Sequence, residues 1–273
     1  MILHRRFRAM NTEVELLLDA EPGHESEASF SAAEAEFHRL EALLSRFRPD
    51  SELSRLNEAG ELATGPDLRE VVALAIAARE RTGGRFDPTV HDALVAAGYD
   101  RSFEHVEADG PARPDGAACG GAVEIEGETI RLGPGVRLDL GGIGKGYAVD
   151  RACDVLAAAG PCLVTAGGDV AVRGGAWPVG VTDELTVELT EGALATSGRD
   201  RRRWRSGGEE RHHLIDPATG RPAESDLVRA TVWADTAAEA EVLAKAAFLG
   251  AEVDVPSVLV TSDGRTLVAG GLA

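Results

Sequence analysis

A glycine-rich segment in the middle of the chain constrains the fold more than any other feature of this sequence. It reads DLGGIGKGYAVD at 139–150, with Val136 and Leu138 before it and a helical pattern from about Lys145 to Ala159 after it. Glycines let the backbone approach a neighbouring element or a ligand closely, and a helix N-terminus offers unpaired amides to an anion. The spacing matches neither the G-x-G-x-x-G motif nor a Walker P-loop. The segment is therefore either a tight packing turn or a phosphate cradle with Lys145 as its cation.

Apolar periodicity predicts helices and strands in an irregular order along the rest of the chain. Spacings of three and four residues predict helices, and alternation predicts strands. The predicted helices span about 30–47, 67–81, 145–159 and 236–249, and the predicted strands span 13–18, 123–132 as a hairpin, 162–172, 177–181, 227–234 and a hairpin within 257–271. Because no regular βαβ rhythm is present, the predicted fold class is α+β. We expect a single mixed α/β domain over residues 1–273, with antiparallel strands and flanking helices.

The overall charge and the apolar content exclude several classes of protein. The net charge is -18, which argues against nucleic acid as a main partner, because phosphate binding needs a basic surface. The apolar fraction of 44% can form a substantial core, and no apolar run has the length of a membrane span or a signal-peptide core. The cysteines Cys119, Cys153 and Cys162 lack metal-ligand spacing, so we expect buried, unpaired side chains. These features predict a cytoplasmic protein without a membrane partner.

Four further segments carry residues that could take part in chemistry. HHLIDPATG at 212–220 places a histidine beside an Asp-Pro turn, where it is either a general base or part of an ordinary loop. TGGRFDPTV at 82–90 fits a helix stop followed by a turn, and SELSRLN at 51–57 fits a helix cap. TAGGD at 165–169 suggests a bulge or a close backbone approach. Each segment alone has an ordinary structural explanation.

Taken together and in this order, the segments closely resemble the ApbE family, the FAD:protein FMN transferases. The resemblance runs from Met10 to about Leu249 and rests on AMNT at 9–12, SRFRPDSELSRLN at 45–57, GGRFDPTV at 83–90, DLGGIGKGYAVD at 139–150, AGGDV at 166–170, ATSG at 195–198, HHLIDPATG at 212–220 and AAEAEVLAKA in the late helix. It implies the α+β fold of that family, FAD as the ligand and Mg²⁺ as the usual metal. It also implies a flavin-modified acceptor protein as the product.

The resemblance further implies roles for individual residues. Those that fall where the family surrounds the flavin and adenine, or contacts FAD, are Met10, Phe47, Arg85, Phe86, Asp87, Asp139 and Lys145. Phe47 stands where many relatives have tyrosine, which keeps the stacking surface but removes a hydroxyl. His213 aligns with the histidine that activates the acceptor threonine. The threonine would attack the FMN-side phosphorus of FAD, and AMP would leave.

The metal position departs from the family pattern. The resemblance implies Mg²⁺ between the carbonyl of Gly142 and two residues of the late helix, usually Asp and Thr four apart, which here are Glu241 and Lys245. Glutamate can bind Mg²⁺, whereas a charged lysine has no lone pair to offer. Lys245 either points into the site, where its ammonium would take the place of the metal, or points to solvent. In the second case it would pair with Glu241 at the surface, or Glu241 and the Gly142 carbonyl would hold Mg²⁺ with extra waters. Asn11 and Thr165 replace a usual glycine and a usual asparagine.

Three functions remain compatible with the sequence. The favoured one is an FAD:protein FMN transferase that modifies a threonine of an acceptor flavoprotein. A pyrophosphatase that cleaves FAD to FMN and AMP would need the same pocket and the same His213, with water as the nucleophile. A non-catalytic flavin-binding protein is the third, and the lysine at position 245 favours it.

Overall fold

The computed structural model of the chain describes residues 1–113 and 116–270. Its α-helices are α1 (His24–Leu44), α2 (Glu52–Ala59), α3 (Pro66–Arg81), α4 (His91–Ala96), α5 (Gly144–Ala157) and α6 (Ala237–Phe248), and Phe103–His105 forms a 3-10 turn. Its strands are β1 (Ile2–Ala9), β2 (Thr12–Asp19), β3 (Glu61–Ala63), β4 (Asp109–Gly110), β5 (Val123–Glu126), β6 (Thr129–Leu132), β7 (Cys162–Ala166), β8 (Asp169–Gly180), β9 (Thr186–Gly198), β10 (Arg203–Ser206), β11 (Glu209–His212), β12 (Ile215–Asp216), β13 (Arg221–Pro222), β14 (Leu227–Ala234), β15 (Ser257–Thr261) and β16 (Thr266–Ala269).

Eight of these strands form one large sheet. Its order is β1-β2-β7-β8-β9-β14-β15-β16, and every neighbouring pair is antiparallel. The other strands form small sheets with the orders β11-β10-β4, β12-β13 and β3-β6-β5. The α+β class with antiparallel strands and flanking helices, predicted from the sequence, is confirmed.

The main hydrophobic core is formed by this sheet and by side chains of five helices, α1, α2, α3, α5 and α6. Helix α5 packs on β7 and β8, α6 packs on β9 and β14, and α1 packs against α5. Leu16, Phe37, Leu40, Val149 and Val164 are fully buried in this core. Full burial of one such side chain contributes roughly 1.5–3 kcal/mol. The core therefore fixes the start of α5, and with it the glycine-rich segment, against the sheet.

The first helix ends earlier than its apolar stripe predicts. The sequence favours a helix that continues to Phe47, but α1 ends at Leu44 and Ser45 is extended, with φ -77° and ψ 120°. The Ser51 hydroxyl, which also caps α2, donates to the Ser45 carbonyl over 2.8 Å. This contact stabilises a loop at 45–51 and places Arg46 and Phe47 outside the helix.

The segment predicted as one strand at 162–172 is a hairpin, so that prediction was wrong. Strands β7 and β8 pair with each other, and the turn between them holds Gly167 at φ 61° and Gly168 at φ 109°. Backbone with positive φ favours glycine because a Cβ atom is strained there. Alternation of apolar residues continues through such a short turn, so periodicity alone did not reveal it.

No helix within 1–113 and 116–270 is both long and apolar enough to cross a membrane.

Candidate active site

One pocket gathers ten of the eleven site residues predicted from the sequence. It encloses about 1120 Å³, its open mouth included, and lies where the β1–β2 turn, the loop after α1 and the glycine-rich segment meet. The predicted residues that line it are Met10, Phe47, Arg85, Phe86, Asp87, Asp139, Gly142, Lys145, His213 and Lys245. Glu241 lies behind this surface and is 4% exposed. The structure thus brings the predicted set together, and the individual roles stay predictions.

The β1–β2 turn contributes two residues with left-handed backbone. Met10 has φ 49° and Asn11 has φ 62°, between the paired residues Ala9 and Thr12. Two positive φ angles in a two-residue hairpin loop favour Asn or Gly, so Asn11 suits the position that the resemblance gives to glycine. The Met10 N–H donates to Glu41 Oε1 over 2.9 Å, which fixes the turn against α1. The Met10 side chain is thereby held at the pocket.

Asp139 organises the pocket floor through its two carboxylate oxygens. Oδ1 accepts from the Gly141 N–H over 2.8 Å, and Oδ2 lies 2.5 Å from Arg46 Nε. Arg46 also donates to the Tyr99 carbonyl, and its guanidinium lies 4.1 Å from the centre of the Phe47 ring. Both side chains of the ion pair are at least nine-tenths buried. Asp139 therefore holds the glycine-rich loop and Arg46 in place. Arg46 was not predicted as a site residue, although it lies in the SRFRPD segment at 45–50.

Asp87, which also lines the pocket, is likewise held by neighbouring protein groups. Its Oδ1 accepts from the Thr89 N–H over 2.8 Å and from the Thr89 hydroxyl over 2.7 Å. Its Oδ2 lies 3.1 Å from Arg79 Nε. These contacts fix the turn that presents Phe86 to the pocket, where that ring is 2% exposed. The carboxylate of Asp87 is thus occupied by protein groups.

A buried ion network, here called the helix seam, joins α5, α6 and the start of β8. It consists of Lys145, Gly146, Asp150, Asp169 and Glu241. Lys145 Nζ donates to Asp169 over 2.7 Å and also to Glu241 Oε1, and Glu241 Oε2 accepts from the Gly146 N–H over 2.9 Å. Burial by itself lowers the pKa of Lys145, but the charges of Asp169 and Glu241 outweigh it and raise that pKa above its usual value. Lys145 therefore stays charged and paired.

The helix seam also provides hydrogen-bond acceptors for the first backbone N–H groups of α6. Asp150 accepts from the N–H groups of Ala237 and Ala238 over 2.8 and 3.0 Å. Gly146 allows this close packing, because a Cβ there would lie 2.4 Å from the Ala237 carbonyl oxygen. The glycine spacing at this position thus serves helix packing, one of the two alternatives left open by the sequence.

A second group of polar residues, here called the pocket wall, consists of Arg202, His213 and Lys245. The buried Nδ1 of His213 has no hydrogen-bond partner among the residues described. Burial foremost, and then the charges of Arg202 and Lys245, lower the pKa of His213 well below its usual value. At neutral pH this imidazole is uncharged and able to accept a proton.

The neighbouring His212 is in a different environment. Its Nδ1 accepts from the Leu214 N–H over 3.2 Å, so the ring proton lies on Nε2, which donates to the Ala223 carbonyl over 3.0 Å. Burial first, together with the charge of Arg199, lowers the pKa of His212, which is 6% exposed. His212 is therefore a neutral core residue, and of the two histidines only His213 lines the pocket.

Lys245 faces the pocket beside the glycine-rich segment. A Cβ on Gly142 would lie 2.1 Å from Lys245 Nζ, and the centre of the Phe86 ring is 6.0 Å from the same atom. Burial lowers the pKa of Lys245, and the Glu241 charge opposes this shift. Of the two orientations open to Lys245 from the sequence, the structure has the one into the site, and Glu241 pairs instead with Lys145.

The residues present do not fit the Mg²⁺ site that the resemblance implies. Both oxygens of Glu241 are engaged, and the ammonium of Lys245 lies next to Gly142 without a lone pair to donate. Within the described ranges, no cluster of three or more His, Cys, Asp or Glu side chains is arranged to hold a metal. A metal-ligand role for Gly142, Glu241 and Lys245 therefore has no support in this geometry.

Comparison with known proteins gives one consistent result. The model of the ApbE family matches residues 10–266. The FAD:protein FMN transferase of Salmonella typhimurium is 30% identical over 225 residues, which are 73% of this chain and 64% of that protein. The FAD:protein FMN transferase of Treponema pallidum is 29% identical over 270 residues, covering 84% of this chain and 73% of that protein. The crystal structure of the ApbE protein of Thermotoga maritima shares the fold, with a TM-score of 0.88 at 24% identity over 98% of this chain and 97% of that chain.

Proposed function

The chain belongs to the ApbE family, and on that premise we propose that it transfers FMN from FAD to a threonine hydroxyl of an acceptor flavoprotein, with release of AMP. The observation that carries the proposal is the pocket wall. An uncharged histidine with a free ring nitrogen lies in the same pocket as two cations, Lys245 and Arg202. A general base beside a phosphate-binding charge is what this reaction requires.

The composition of the pocket lining supports FAD as the donor. Met10 and Phe47 line the pocket and offer apolar and aromatic surface for flat rings. The cations Lys245 and Arg202 line the same pocket, and Lys245 lies beside Gly142 of the glycine-rich segment. A ligand with two aromatic ring systems joined by a pyrophosphate needs both kinds of surface. The relatives named FAD:protein FMN transferase agree with it.

The proposed reaction assigns one step to each group. His213 takes the proton of the threonine hydroxyl, whose oxygen forms a bond to the FMN-side phosphorus. The bond between that phosphorus and the bridging oxygen breaks, and AMP leaves with the electron pair. Positioned cations stabilise the negative charge that develops on the departing phosphate. No step is assigned to Mg²⁺, because the residues at its expected position do not fit it.

Incubation of the pure protein with FAD and a candidate acceptor domain tests the proposal. We expect the acceptor to gain the mass of FMN, bound at a threonine, with one AMP released per modification. Release of AMP without any gain of mass would indicate the pyrophosphatase instead. Binding of FAD with neither product would indicate a flavin-binding protein without turnover.

The setting of the reaction is a separate proposal. We propose that the protein works in the cytoplasm on a protein acceptor, with neither nucleic acid nor a membrane as a partner. The net charge of -18 supports the exclusion of nucleic acid, since a strongly acidic surface repels phosphate backbones. Separation of cell fractions, followed by detection of the chain, tests the location.

A further inference from the structure

The chain contains only two lysines, and both lie at the pocket. Lys145 and Lys245 are the lysines among 28 lysine and arginine residues, so arginine supplies every other permanent side-chain cation. Arginine carries a broad, planar charge, whereas the lysine ammonium is a compact point charge. One compact cation thus lies within the glycine-rich segment and the other lies beside it. A divalent metal ion is also a compact cation. The surroundings of each ammonium group therefore decide whether that group can take the place of a metal ion.

The two lysines have different partners. Lys145 forms ion pairs with Asp169 and Glu241 within the helix seam. Lys245 Nζ forms no ion pair within 4.0 Å and no hydrogen bond with any residue of the described part of the chain. Its ammonium borders Gly142 and lines the pocket. A cation without an ion-pair contact, held at a cavity surface, has the character of an anion-binding group.

A divalent cation beside Lys245 is disfavoured by charge as well as by ligand count. An ammonium and a metal ion repel each other at short distance in a partly desolvated pocket. The nearest carboxylate on the same helix, Glu241, already neutralises Lys145. Binding of Mg²⁺ would therefore need the removal of the Lys245 charge and the breaking of the buried ion pair between Lys145 and Glu241.

We propose that Lys245 replaces the divalent metal, so that its ammonium binds the pyrophosphate of FAD directly and the protein binds FAD without Mg²⁺. This inference rests on the proposed function, since it takes FAD as the ligand. Arg202, which lines the same pocket, supplies the second positive charge for the two phosphates. In the transfer step Lys245 stabilises the charge on the AMP phosphate as the bond to phosphorus breaks.

Ligand titrations in the presence and absence of metal test this directly. In EDTA, the unchanged protein is expected to bind FAD with the same affinity as in excess Mg²⁺, within about twofold. Lys245→Met is expected to weaken FAD binding roughly 10- to 100-fold, because a charged hydrogen bond contributes about 1.5–3 kcal/mol. Binding of riboflavin, which has no phosphate, should be the same in both proteins. If Lys245→Met loses equal affinity for FAD and for riboflavin, the proposal is overturned. An FAD affinity that depends on Mg²⁺ in the unchanged protein would overturn it as well.

Gly142→Ala provides a second variant that keeps the ammonium but moves it. The added Cβ would lie 2.1 Å from Lys245 Nζ, so the flexible end of the lysine has to shift. The same Cβ would lie 3.2 Å from Phe86 Cε2, so the binding of riboflavin is measured beside that of FAD. We expect a larger loss of affinity for FAD than for riboflavin. Unchanged binding of FAD would contradict a direct contact between Nζ and phosphate.

The small number of lysines also allows a direct spectroscopic test. Protein labelled with ¹³C at the lysine ε-carbon should give two lysine signals, and the one lost in Lys245→Met belongs to Lys245. We expect FAD in EDTA to shift the Lys245 signal and riboflavin to leave it in place. A Lys245 signal that does not move at saturating FAD would overturn the proposal.

The outcomes separate this inference from the proposed function. Binding of FAD without metal, combined with an unmodified acceptor, supports the inference and contradicts the transferase. Modification of the acceptor only in the presence of Mg²⁺ supports the transferase and contradicts the inference. A protein that binds no FAD contradicts both.

Discussion

The helix seam and the pocket wall each contain a lysine, yet they differ in how their polar groups are matched. In the helix seam, the Lys145 ammonium and the Glu241 carboxylate have protein partners. In the pocket wall, Lys245 has no ion pair among the described residues and His213 Nδ1 has no hydrogen bond. Buried polar groups in folded proteins are normally paired, so unpaired ones mark a place where a ligand completes the contacts. We therefore expect mutations in the helix seam to affect stability and mutations in the pocket wall to affect ligands and rate.

His212 and His213 show the same contrast between adjacent residues. Both nitrogens of the His212 ring have backbone partners, whereas the buried Nδ1 of His213 has none among the described residues, and His213 lines the pocket. His213→Ala is expected to slow transfer by about 10²–10⁴-fold, which is the usual contribution of a general base. The affinity for FAD and the unfolding midpoint should change little. The rate of acceptor modification at saturating FAD, measured by mass spectrometry, checks this.

His212→Ala is the matched control for that variant. It should lower the free energy of unfolding by about 1–3 kcal/mol, since it leaves buried backbone groups unpaired. The folded fraction should keep the transfer rate. An active His213→Ala beside an inactive but folded His212→Ala would show that the roles are reversed.

Glu241→Ala tests the helix seam. It removes one partner of Lys145 and the acceptor of the Gly146 N–H. Asp169 still pairs with Lys145, but the buried Gly146 N–H loses its acceptor, so we expect a loss of about 1–3 kcal/mol in the free energy of unfolding. Urea unfolding measures it. Glu239→Ala on the same helix is the control, because the ion pair of Glu239 with Arg81 is exposed and should contribute less than about 1 kcal/mol. Equal urea midpoints for Glu241→Ala and Glu239→Ala would show that the buried helix seam contributes no more stability than an exposed ion pair.

Asp150→Ala tests the cap that the helix seam provides for α6. The substitution leaves the N–H groups of Ala237 and Ala238 without their acceptor. Loss of a helix cap typically lowers stability by about 1–2 kcal/mol. Asp154→Ala, one turn later on α5, removes only a contact of an exposed carboxylate with Arg173 and serves as the control. A thermal scan of both variants should show a lower midpoint for Asp150→Ala alone.

The pH dependence of transfer gives the smallest expected change. The pKa of His213 is depressed, so its uncharged form persists to lower pH than that of an ordinary histidine. The ratio kcat/KM for FAD should therefore rise much less between pH 5.5 and 7.5 than the nearly tenfold rise that a histidine with a pKa of about 6.5 would give. A steep rise of kcat/KM centred near pH 6.5 would mean that burial and the neighbouring cations do not lower the pKa of His213.

The sequence predicted which segments form the pocket better than it predicted their local structure. Ten of its eleven site residues line one pocket, because each lies in a segment that resembles the family. Helix α1 nevertheless ends at Leu44, since the Ser51 side chain stabilises the loop that follows. Arg46 and Arg202 were missed, because an arginine in a loop has no periodic pattern that reveals its burial. Arg46 could have been suspected from its place within the quoted SRFRPD segment.

The sequence by itself determined the α+β class, the order of the family segments and the presence of a lysine at position 245. Only the tertiary structure decided how the charges pair. On helical spacing alone, Glu241 and Lys245 form a plausible ion pair four residues apart. In the folded chain Glu241 instead binds Lys145, 96 residues away, because the packing of α5 on α6 brings those side chains together and turns Lys245 toward the pocket. Spacing along one helix carries no information about a partner on another element, so the unpaired ammonium is a consequence of the fold.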